Sequence, residues 1–487
     1  MRITFKESSL GGSSQFVDII RSPDGKHEAY IMARRNKFVV AVDGKEGKGY
    51  DGIGKGSIVF SPDSSRYAYT AEYNGKWIVV MDGNELGHYD RISEIVFSGT
   101  SKHIAFSAKL ASRIGLVVDG DGGRWYDAIE SPGFIGPENE KPAFLAKRGV
   151  KWFLVVDQQE QKEYDRIGSI ISNPYNDTYY HHKGAKDLIF SPDGRHIAFY
   201  ASEQRYGSDW VVVLDGKELA AYDGIGEGML HFSTDSMHLA YAAVRKDKWI
   251  CILDGKEYGE YDNVSRSIFS PDGERLVWVA KRNHKCFVVI NGKECKDYDG
   301  ILNGTPIFSP DSAHISYGAR DGSHWFVIAD DCASRPYDSL NDVVFSPNGK
   351  RLAFIAQRNN AWLVNVDGNE GKMYEGIGEG SLCFTPGNGQ LAYVVGERGG
   401  FRVVTNGRET ETYTGLMVGS LIASPDGSFL AYEAELNGRW YAFAGKERSP
   451  AYDAFLKRDV VFSGLSSFHT VALRGGQILR VDVECSK

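Results

Sequence analysis

One short segment recurs twelve times along the 487 residues of this chain and constrains its fold more than any other feature. A clear copy begins with Ser191-Pro192-Asp193-Gly194, continues through Ile197-Ala198-Phe199 and ends with Tyr222-Asp223. A repeat of this kind is one structural unit that cannot bury its apolar face alone. Stacked copies must therefore share a core.

Each copy contains four short runs of β-branched and aromatic residues separated by turn residues, which predicts four strands, A to D. Ser346-Pro347-Asn348-Gly349 suits the turn between A and B, and Asp367-Gly368 suits a hairpin between C and D. No segment shows sustained helical periodicity, so we expect an all-β chain. In this ninth copy, strands A to D are predicted at residues 342–345, 351–356, 361–366 and 372–374.

Four-stranded units repeated at this length are typical of β-propeller blades. The motif Ser-Pro-Asp-Gly, followed by Leu or Ile, Ala and an aromatic residue, resembles the WD40-like (PD40) repeat of TolB-type propellers. The resemblance covers nearly the whole chain. It implies that strand A lines the central channel and that strand D lies outermost.

We predict a β-propeller of about twelve blades, formed as one domain by residues 1–487. The last copy lacks its outer strand, so we expect residues 2–6 to complete it, with Phe5 at the position of a recurring tyrosine. Such a seam removes exposed strand edges and favours one large ring. Because propellers usually have about four to eight blades, two propellers of about six blades each are the alternative.

Two aromatic positions recur in the copies, a tryptophan that opens strand C, such as Trp210, and a tyrosine that ends strand D, such as Tyr222. An acidic residue follows most of these tyrosines. Large rings at fixed positions indicate packing between blades. The acidic residues are predicted to cap turn amides.

Composition narrows the classes of function. The formal net charge of −8 argues against a general nucleic-acid binder, and no apolar run approaches the length of a membrane span. The six cysteines show no zinc or disulfide spacing, so we predict reduced thiols, no metal site and no cofactor. We expect a monomer, in the cytoplasm if Met1 is the native start or in the periplasm if a leader was removed.

Few segments resemble catalytic motifs. The sequence has no Gly-x-Ser-x-Gly elbow and no HExxH motif. The glycine-rich segments 52–56, 224–228 and 376–380 resemble phosphate loops, but a strand rather than a helix is predicted after each. We therefore predict no catalytic residues and favour a non-catalytic scaffold that binds a protein or peptide. A channel-centred hydrolase or lyase, with or without a metal, is the alternative.

The turns between strands B and C carry the charges that suggest a binding surface. Basic loops gathered on one face of an acidic protein predict docking of a partner, which would be acidic. Nearby carboxylates could instead pair with these bases, and surface pairs contribute little. The candidate residues are Arg34, Arg35, Lys147, Arg148, Arg245, Lys246, Lys281 and Arg282.

One insertion, at residues 169–188, is predicted on the same face. Aromatic and histidine side chains in an extra loop of a rigid scaffold are typical of a recognition element. A loop packed over the channel mouth is the alternative. The candidate binding residues are Tyr175, Tyr179, Tyr180 and His181.

Overall fold

The structure, a computed structural model, describes residues 2–12, 16–136, 140–167, 188–204, 209–387, 389–417, 419–456 and 460–486. Within these ranges, all the regular secondary structure consists of β-strands. The strands form twelve antiparallel sheets of four or five strands each. The chain is therefore an all-β protein with the twelve blades of a β-propeller, which confirms the predicted fold class.

The chain divides into two compact units. One unit comprises Val17–Asn283 and Val288–Cys295 and supplies most of blades 1 to 7. The other comprises Met1–Phe16, His284–Phe287 and Lys296–Lys487 and supplies blades 8 to 12. The assignment of residues 1–487 to a single domain stays a prediction.

The first strand of the chain, β1 (Arg2–Gly12), belongs to blade 12. Blade 1 contains β2 (Phe16–Arg21), β3 (Glu28–Arg34), β4 (Lys37–Val42) and β5 (Lys45–Tyr50). Blade 2 contains β6 (Gly52–Ile53), β7 (Val59–Phe60), β8 (Tyr67–Tyr73), β9 (Lys76–Met81) and β10 (Asn84–Tyr89). Blade 3 contains β11 (Arg91–Phe97), β12 (Ile104–Leu110), β13 (Arg113–Val118) and β14 (Asp121–Tyr126). Blade 4 contains β15 (Ala128–Ile135), β16 (Lys141–Arg148), β17 (Lys151–Val156) and β18 (Gln159–Tyr164).

The next three blades each have a strand A split into two segments. Blade 5 contains β19 (Arg166–Ile167), β20 (Leu188–Phe190), β21 (Ile197–Ser202), β22 (Trp210–Leu214) and β23 (Lys217–Tyr222). Blade 6 contains β24 (Gly224–Ile225), β25 (His231–Phe232), β26 (Leu239–Arg245), β27 (Lys248–Leu253) and β28 (Lys256–Tyr261). Blade 7 contains β29 (Asn263–Val264), β30 (Ile268–Phe269), β31 (Leu276–Arg282), β32 (Lys285–Ile290) and β33 (Lys293–Tyr298).

The remaining blades follow the same order, with shorter outer strands in blades 8 to 11. Blade 8 contains β34 (Gly300–Ile301), β35 (Ile307–Phe308), β36 (Ile315–Asp321), β37 (His324–Ala329) and β38 (Cys332–Ala333). Blade 9 contains β39 (Ser339–Phe345), β40 (Leu352–Arg358), β41 (Ala361–Val366) and β42 (Asn369–Glu370). Blade 10 contains β43 (Gly376–Ile377), β44 (Cys383–Phe384), β45 (Leu391–Glu397), β46 (Gly400–Thr405) and β47 (Arg408–Glu409). Blade 11 contains β48 (Gly415–Leu416), β49 (Ile422–Ala423), β50 (Leu430–Leu436), β51 (Arg439–Ala444) and β52 (Glu447–Arg448). Blade 12 contains β53 (Ala454–Phe455), β54 (Val461–Phe462), β55 (Ser467–Arg474) and β56 (Gln477–Ser486).

Burial within a blade follows the sequence of each strand. In blade 1, residues 28–32 of β3 and 39–41 of β4 are buried, whereas most of β5 is exposed. Small and β-branched residues fill the narrow space between neighbouring sheets, and the charged residues of the outer strand face solvent. The exception in β5 is its last residue, Tyr50, which is fully buried.

The Ser-Pro-Asp-Gly motif forms a closed turn between strands A and B. Ser191 Oγ donates a hydrogen bond of 2.6 Å to Asp193 Oδ1, which also accepts one of 3.0 Å from the Arg195 amide. The Asp193 amide in turn donates to Ser236 Oγ of blade 6 at 3.0 Å. The motif therefore satisfies its own polar groups, and in blades 1, 2 and 5 its aspartate amide joins the turn to the next blade.

The tyrosine that ends strand D packs between blades, as the sequence predicted. The ring centroids of Tyr50 and Tyr69 lie 6.3 Å apart at an interplanar angle of 73°. Tyr222 and Tyr241 repeat this contact at 6.2 Å and 78°. Such edge-to-face pairs each contribute about 0.5–1.5 kcal/mol beyond the burial of their area.

The strand β1 pairs antiparallel with β56 and completes the sheet of blade 12. Its register places Glu7 at the position that Glu46 takes in blade 1, and Gly11 at the position of Tyr50. The expectation that Phe5 takes the tyrosine position is therefore wrong. The strand continues to Gly12 instead of ending near residue 6, which moves the repeat positions toward its C-terminal half.

Candidate functional site

We call residues 34–37, 147–151, 245–248 and 281–285, which connect strands B and C in four blades, the basic turns. In each of them, the arginine that ends strand B forms an ion pair with a glutamate on strand D of its own blade. The shortest N–O distances are 2.7 Å for Arg34 with Glu46, 2.5 Å for Arg148 with Glu160, 2.7 Å for Arg245 with Glu257 and 2.8 Å for Arg282 with Glu294. Half of the predicted basic residues thus have a carboxylate partner in their own blade.

A tyrosine of the preceding blade joins three of these pairs, those of Arg148, Arg245 and Arg282. Tyr222 donates a hydrogen bond of 2.9 Å to Glu257, and the Arg245 guanidinium lies 4.9 Å from the centroid of the Tyr222 ring. Burial, together with the hydrogen bond to Glu257, raises the pKa of Tyr222 to about 12. The hydrogen bond from Arg245 lowers the pKa of Glu257. The result is a Tyr–Glu–Arg network that connects two blades and keeps the carboxylate ionised.

The aspartate that follows the tyrosine has two partners in several blades. Asp51 accepts a hydrogen bond of 2.5 Å from Lys37 Nζ and one of 2.9 Å from the Asn74 amide in the following B–C turn. Asp262 likewise accepts a hydrogen bond of 2.6 Å from Lys248 Nζ and one of 2.9 Å from the Asn283 amide. The predicted capping of turn amides is confirmed, and it holds three of the four basic turns, through the amides of Gly149, Lys246 and Asn283.

Two predicted cations stand apart from these networks. Arg35 and Lys246 occupy the same position of their turns, where both are exposed and have a left-handed backbone, with φ of 54° and 51°. Within the described ranges, no ion pair involves either side chain. Lys147 lies instead over the Trp152 ring, 5.4 Å from its centroid, and Lys281 is half-buried at the end of β31.

The predicted recognition residues Tyr175, Tyr179, Tyr180 and His181 lie outside the described residues, as do residues 169–187 of the insertion. Their contribution to binding stays a prediction.

An apolar cavity of about 250 Å³ opens between blades 10 and 11. Its polar wall atoms come mainly from backbone groups and from Ser381 and Glu379. The lining residues are Gly376, Ile377, Gly378, Glu379, Gly380, Ser381, Val394, Gly396, Phe401, Leu416, Gly419 and Leu421.

The corresponding space in blade 6 is filled by side chains. Blade 6 has the same Gly-Ile-Gly-Glu-Gly segment, at residues 224–228. A Cβ atom added to Gly226 would lie 2.5 Å from Met229 Sδ and 3.0 Å from the Trp249 ring. Met229 and Trp249 are only 2% and 8% exposed. Val244 pairs with Trp249 across strands B and C.

Smaller residues at these repeat positions leave the space open in blade 10. Ser381 stands in place of the methionine, Phe401 in place of the tryptophan and Gly396 in place of the valine. Phe401 is 42% exposed. Sequence reasoning missed this site, although the phenylalanine in the tryptophan column and its paired glycine were visible signals.

Glu379 lines the cavity, and the carboxyl group of Asp342 is bonded to the next lining residue, Gly380. Asp342 of β39 accepts a hydrogen bond of 2.5 Å from the Gly380 amide, and Glu379 is the preceding residue. Burial raises the pKa of Asp342, and the negative charge of Glu379 raises it further, while the Gly380 amide opposes the shift. The raised pKa favours the neutral form of Asp342, so Glu379 is the carboxylate that lines the cavity.

Among the described residues, no group of three or more His, Cys, Asp or Glu side chains is placed to hold a metal ion. Burial raises the pKa of the Cys251 thiol, which disfavours its nucleophilic thiolate form. Nowhere in the described ranges is there a helix with the length and apolar character needed to cross a membrane.

No family model matches the sequence, and no curated protein matches it. Among solved structures, the chain is similar to the Dos1 propeller, with 12% identity and a TM-score of 0.29, over 65% of this chain and 92% of that one. It is similar to TolB from Acinetobacter baumannii, with 14% identity and a TM-score of 0.22, over 58% and 81% of the two chains. It is also similar to hydrazine synthase of Kuenenia stuttgartiensis, with 13% identity and a TM-score of 0.24, over 53% and 95%. These likenesses say nothing about activity or partners.

Proposed function

We propose that this protein is a monomeric, non-catalytic propeller that binds an acidic protein or peptide through its basic turns. The observation that carries the proposal is the exposure of Arg35 and Lys246 at equivalent turn positions, with no ion pair to either side chain among the described residues. We also infer that the repeats are of the WD40-like (PD40) type, because the Ser-Pro-Asp-Gly turns recur in that pattern. The compartment stays a prediction.

The surroundings of these two cations favour binding over a purely structural role. The neighbouring arginines, Arg34 and Arg245, are held by the carboxylates of Glu46 and Glu257, so each turn is a rigid support. A cation on a rigid support loses little conformational freedom when a carboxylate binds. The net charge of −8 disfavours a nucleic acid and leaves an acidic protein surface or peptide as the partner.

The experiment compares the wild-type protein with the double variant Arg35→Glu, Lys246→Glu as affinity baits in a lysate of the source cells. Partners recovered by the wild type are identified by mass spectrometry and expressed, and their binding is measured at several salt concentrations. We expect the double variant to lose the partner and the wild-type affinity to fall with salt, because exposed charges are screened.

The matched control reverses the same number of charges on turns between strands A and B, with Lys26→Glu and Lys350→Glu. Both lysines are exposed. The control has the same net charge as the test variant and should keep the partner. Equal capture by the wild type and the Arg35→Glu, Lys246→Glu variant would contradict the proposal.

A further inference from the structure

We propose that the cavity between blades 10 and 11 binds a small organic cation, whose apolar end enters the cavity and whose ammonium group meets the carboxylate of Glu379. The site shares no residue with the basic turns. Its test is therefore independent of the proposed partner binding.

The size of the cavity sets the size of the ligand. The cavity measures about 250 Å³. An apolar cavity of about 150 Å³ lined by Leu, Ile and Phe holds a benzene molecule. The space between blades 10 and 11 therefore accepts one aromatic ring together with a short aliphatic chain.

The lining determines which end of the ligand enters. Ile377, Val394, Leu416 and Leu421 contribute apolar side chains. The hydroxyl of Ser381 already donates a hydrogen bond of 2.6 Å to the Gly378 carbonyl and accepts one of 3.1 Å from the Val394 amide. Because the Ser381 hydroxyl already has both of these partners, the interior offers a ligand mainly apolar contacts. An apolar group is therefore favoured there.

The charges around the cavity determine the other end of the ligand. Within the described ranges, no ion pair involves Glu379 or Asp342. The nearby Arg402 is held at 2.9 Å by Glu397 and at 2.9 Å by Glu409. The carboxylate of Glu379 is thus left to attract a cation at the cavity mouth, and the exposed ring of Phe401 adds a face on which a cation is stabilised.

The repeat itself supplies the variant that closes the cavity. Gly396→Val restores the residue found at the same position of blade 6, Val244. A Cβ atom on Gly396 would lie 3.7 Å from the nearest atoms of Phe401, which is an ordinary contact. The Cβ atom therefore fits, and because Gly396 lines the cavity, a valine there occupies space that the ligand needs.

The experiment measures binding of 2-phenylethylamine, 2-phenylethanol and 3-phenylpropanoate by saturation-transfer NMR and calorimetry. We expect the wild type to bind the amine about tenfold more tightly than the alcohol and to bind the carboxylate most weakly. Glu379→Gln should remove the preference for the amine over the alcohol. Gly396→Val should abolish binding of both.

Two further variants keep the result interpretable. Glu227→Gln removes the equivalent glutamate of blade 6, where the space is filled, and should leave all three affinities unchanged. Phe401→Trp, which restores the repeat tryptophan, replaces Gly396→Val if that variant does not fold. Absence of amine binding to the wild type, equal binding of the three probes, or undiminished binding after the cavity is filled would each overturn the proposal.

Discussion

Glu7 on β1 accepts a hydrogen bond of 2.8 Å from the Tyr452 hydroxyl, which joins residues 445 positions apart in the chain. Arg474 donates to the same carboxylate oxygen at 3.0 Å. This is the Tyr–Glu–Arg network of the other blades, with its glutamate supplied by the N-terminal strand. The edge of β56 is therefore covered by a strand that also provides a contact between blades 11 and 12.

We predict that Glu7→Gln loosens β1. The amide cannot replace the charge-assisted bonds to Arg474, so local opening of the strand should become about 1 kcal/mol easier. Hydrogen exchange measured by mass spectrometry should then show about fivefold faster exchange of the β1 amides. Glu160→Gln, which alters the equivalent network of blade 4, should leave exchange in β1 unchanged. Wild-type exchange rates in the Glu7→Gln variant would contradict this role of the network.

Replacing the two kinds of basic-turn residue should affect stability differently. Arg245 donates two hydrogen bonds of 2.7 Å to Glu257, whereas Arg35 is exposed at the tip of its turn. We expect Arg245→Ala to lower the free energy of unfolding by about 1 kcal/mol. Arg35→Ala should change it by less than about 0.5 kcal/mol. Urea denaturation followed by tryptophan fluorescence measures both, and equal losses would show that the two arginines have the same role.

The sequence predicted the blades because strand and turn signals agree in every copy. The ion pairs required the register of the strands, but they too leave a signal. Arg34 precedes its glutamate by 12 residues, and so does Arg245. The cavity left weaker signals, because it depends on the combined absence of side-chain volume at Gly396, Phe401 and Ser381. Only the packed structure shows that no neighbouring side chain fills the space.

A buried hydrogen bond connects blades 11 and 12. Thr470 Oγ1 donates a hydrogen bond of 2.5 Å to Glu433 Oε1, and both residues are fully buried. Thr470→Val keeps the side-chain volume but removes the donor from a buried carboxylate. We expect a loss of about 1.5–3 kcal/mol in the free energy of unfolding.

Thr70→Val is the matched control for this prediction. Thr70 is also buried, and no hydrogen bond of its hydroxyl occurs among the described residues. The substitution should be neutral or slightly stabilising. Chemical denaturation measures the free energy of unfolding of both variants. Equal changes in the two would mean that the hydrogen bond to Glu433 contributes little.

His231 makes stability depend on mildly acidic pH. Burial, aided by the positive charge of Arg266, lowers its pKa to about 4, although the Met229 carbonyl accepts a hydrogen bond of 3.0 Å from its Nδ1. In the unfolded chain a histidine has a pKa of about 6.5, so the unfolded state binds the proton more tightly. The free energy of unfolding is therefore unaffected by the titration of His231 above pH 6.5. It falls as the pH drops from 6.5 toward 4.

We predict that His231→Ile, which introduces the residue found at the same position of β30, flattens this dependence. Between pH 6.5 and 4, the wild type should lose up to about 1.4 kcal/mol per pH unit more than the variant, because one additional proton binds on unfolding. Urea midpoints at half-unit pH steps measure the difference. His88→Gln alters an exposed histidine on β10 and should follow the wild type. Parallel curves for the wild type and His231→Ile would show that His231 stays neutral in both states or is protonated equally well in both.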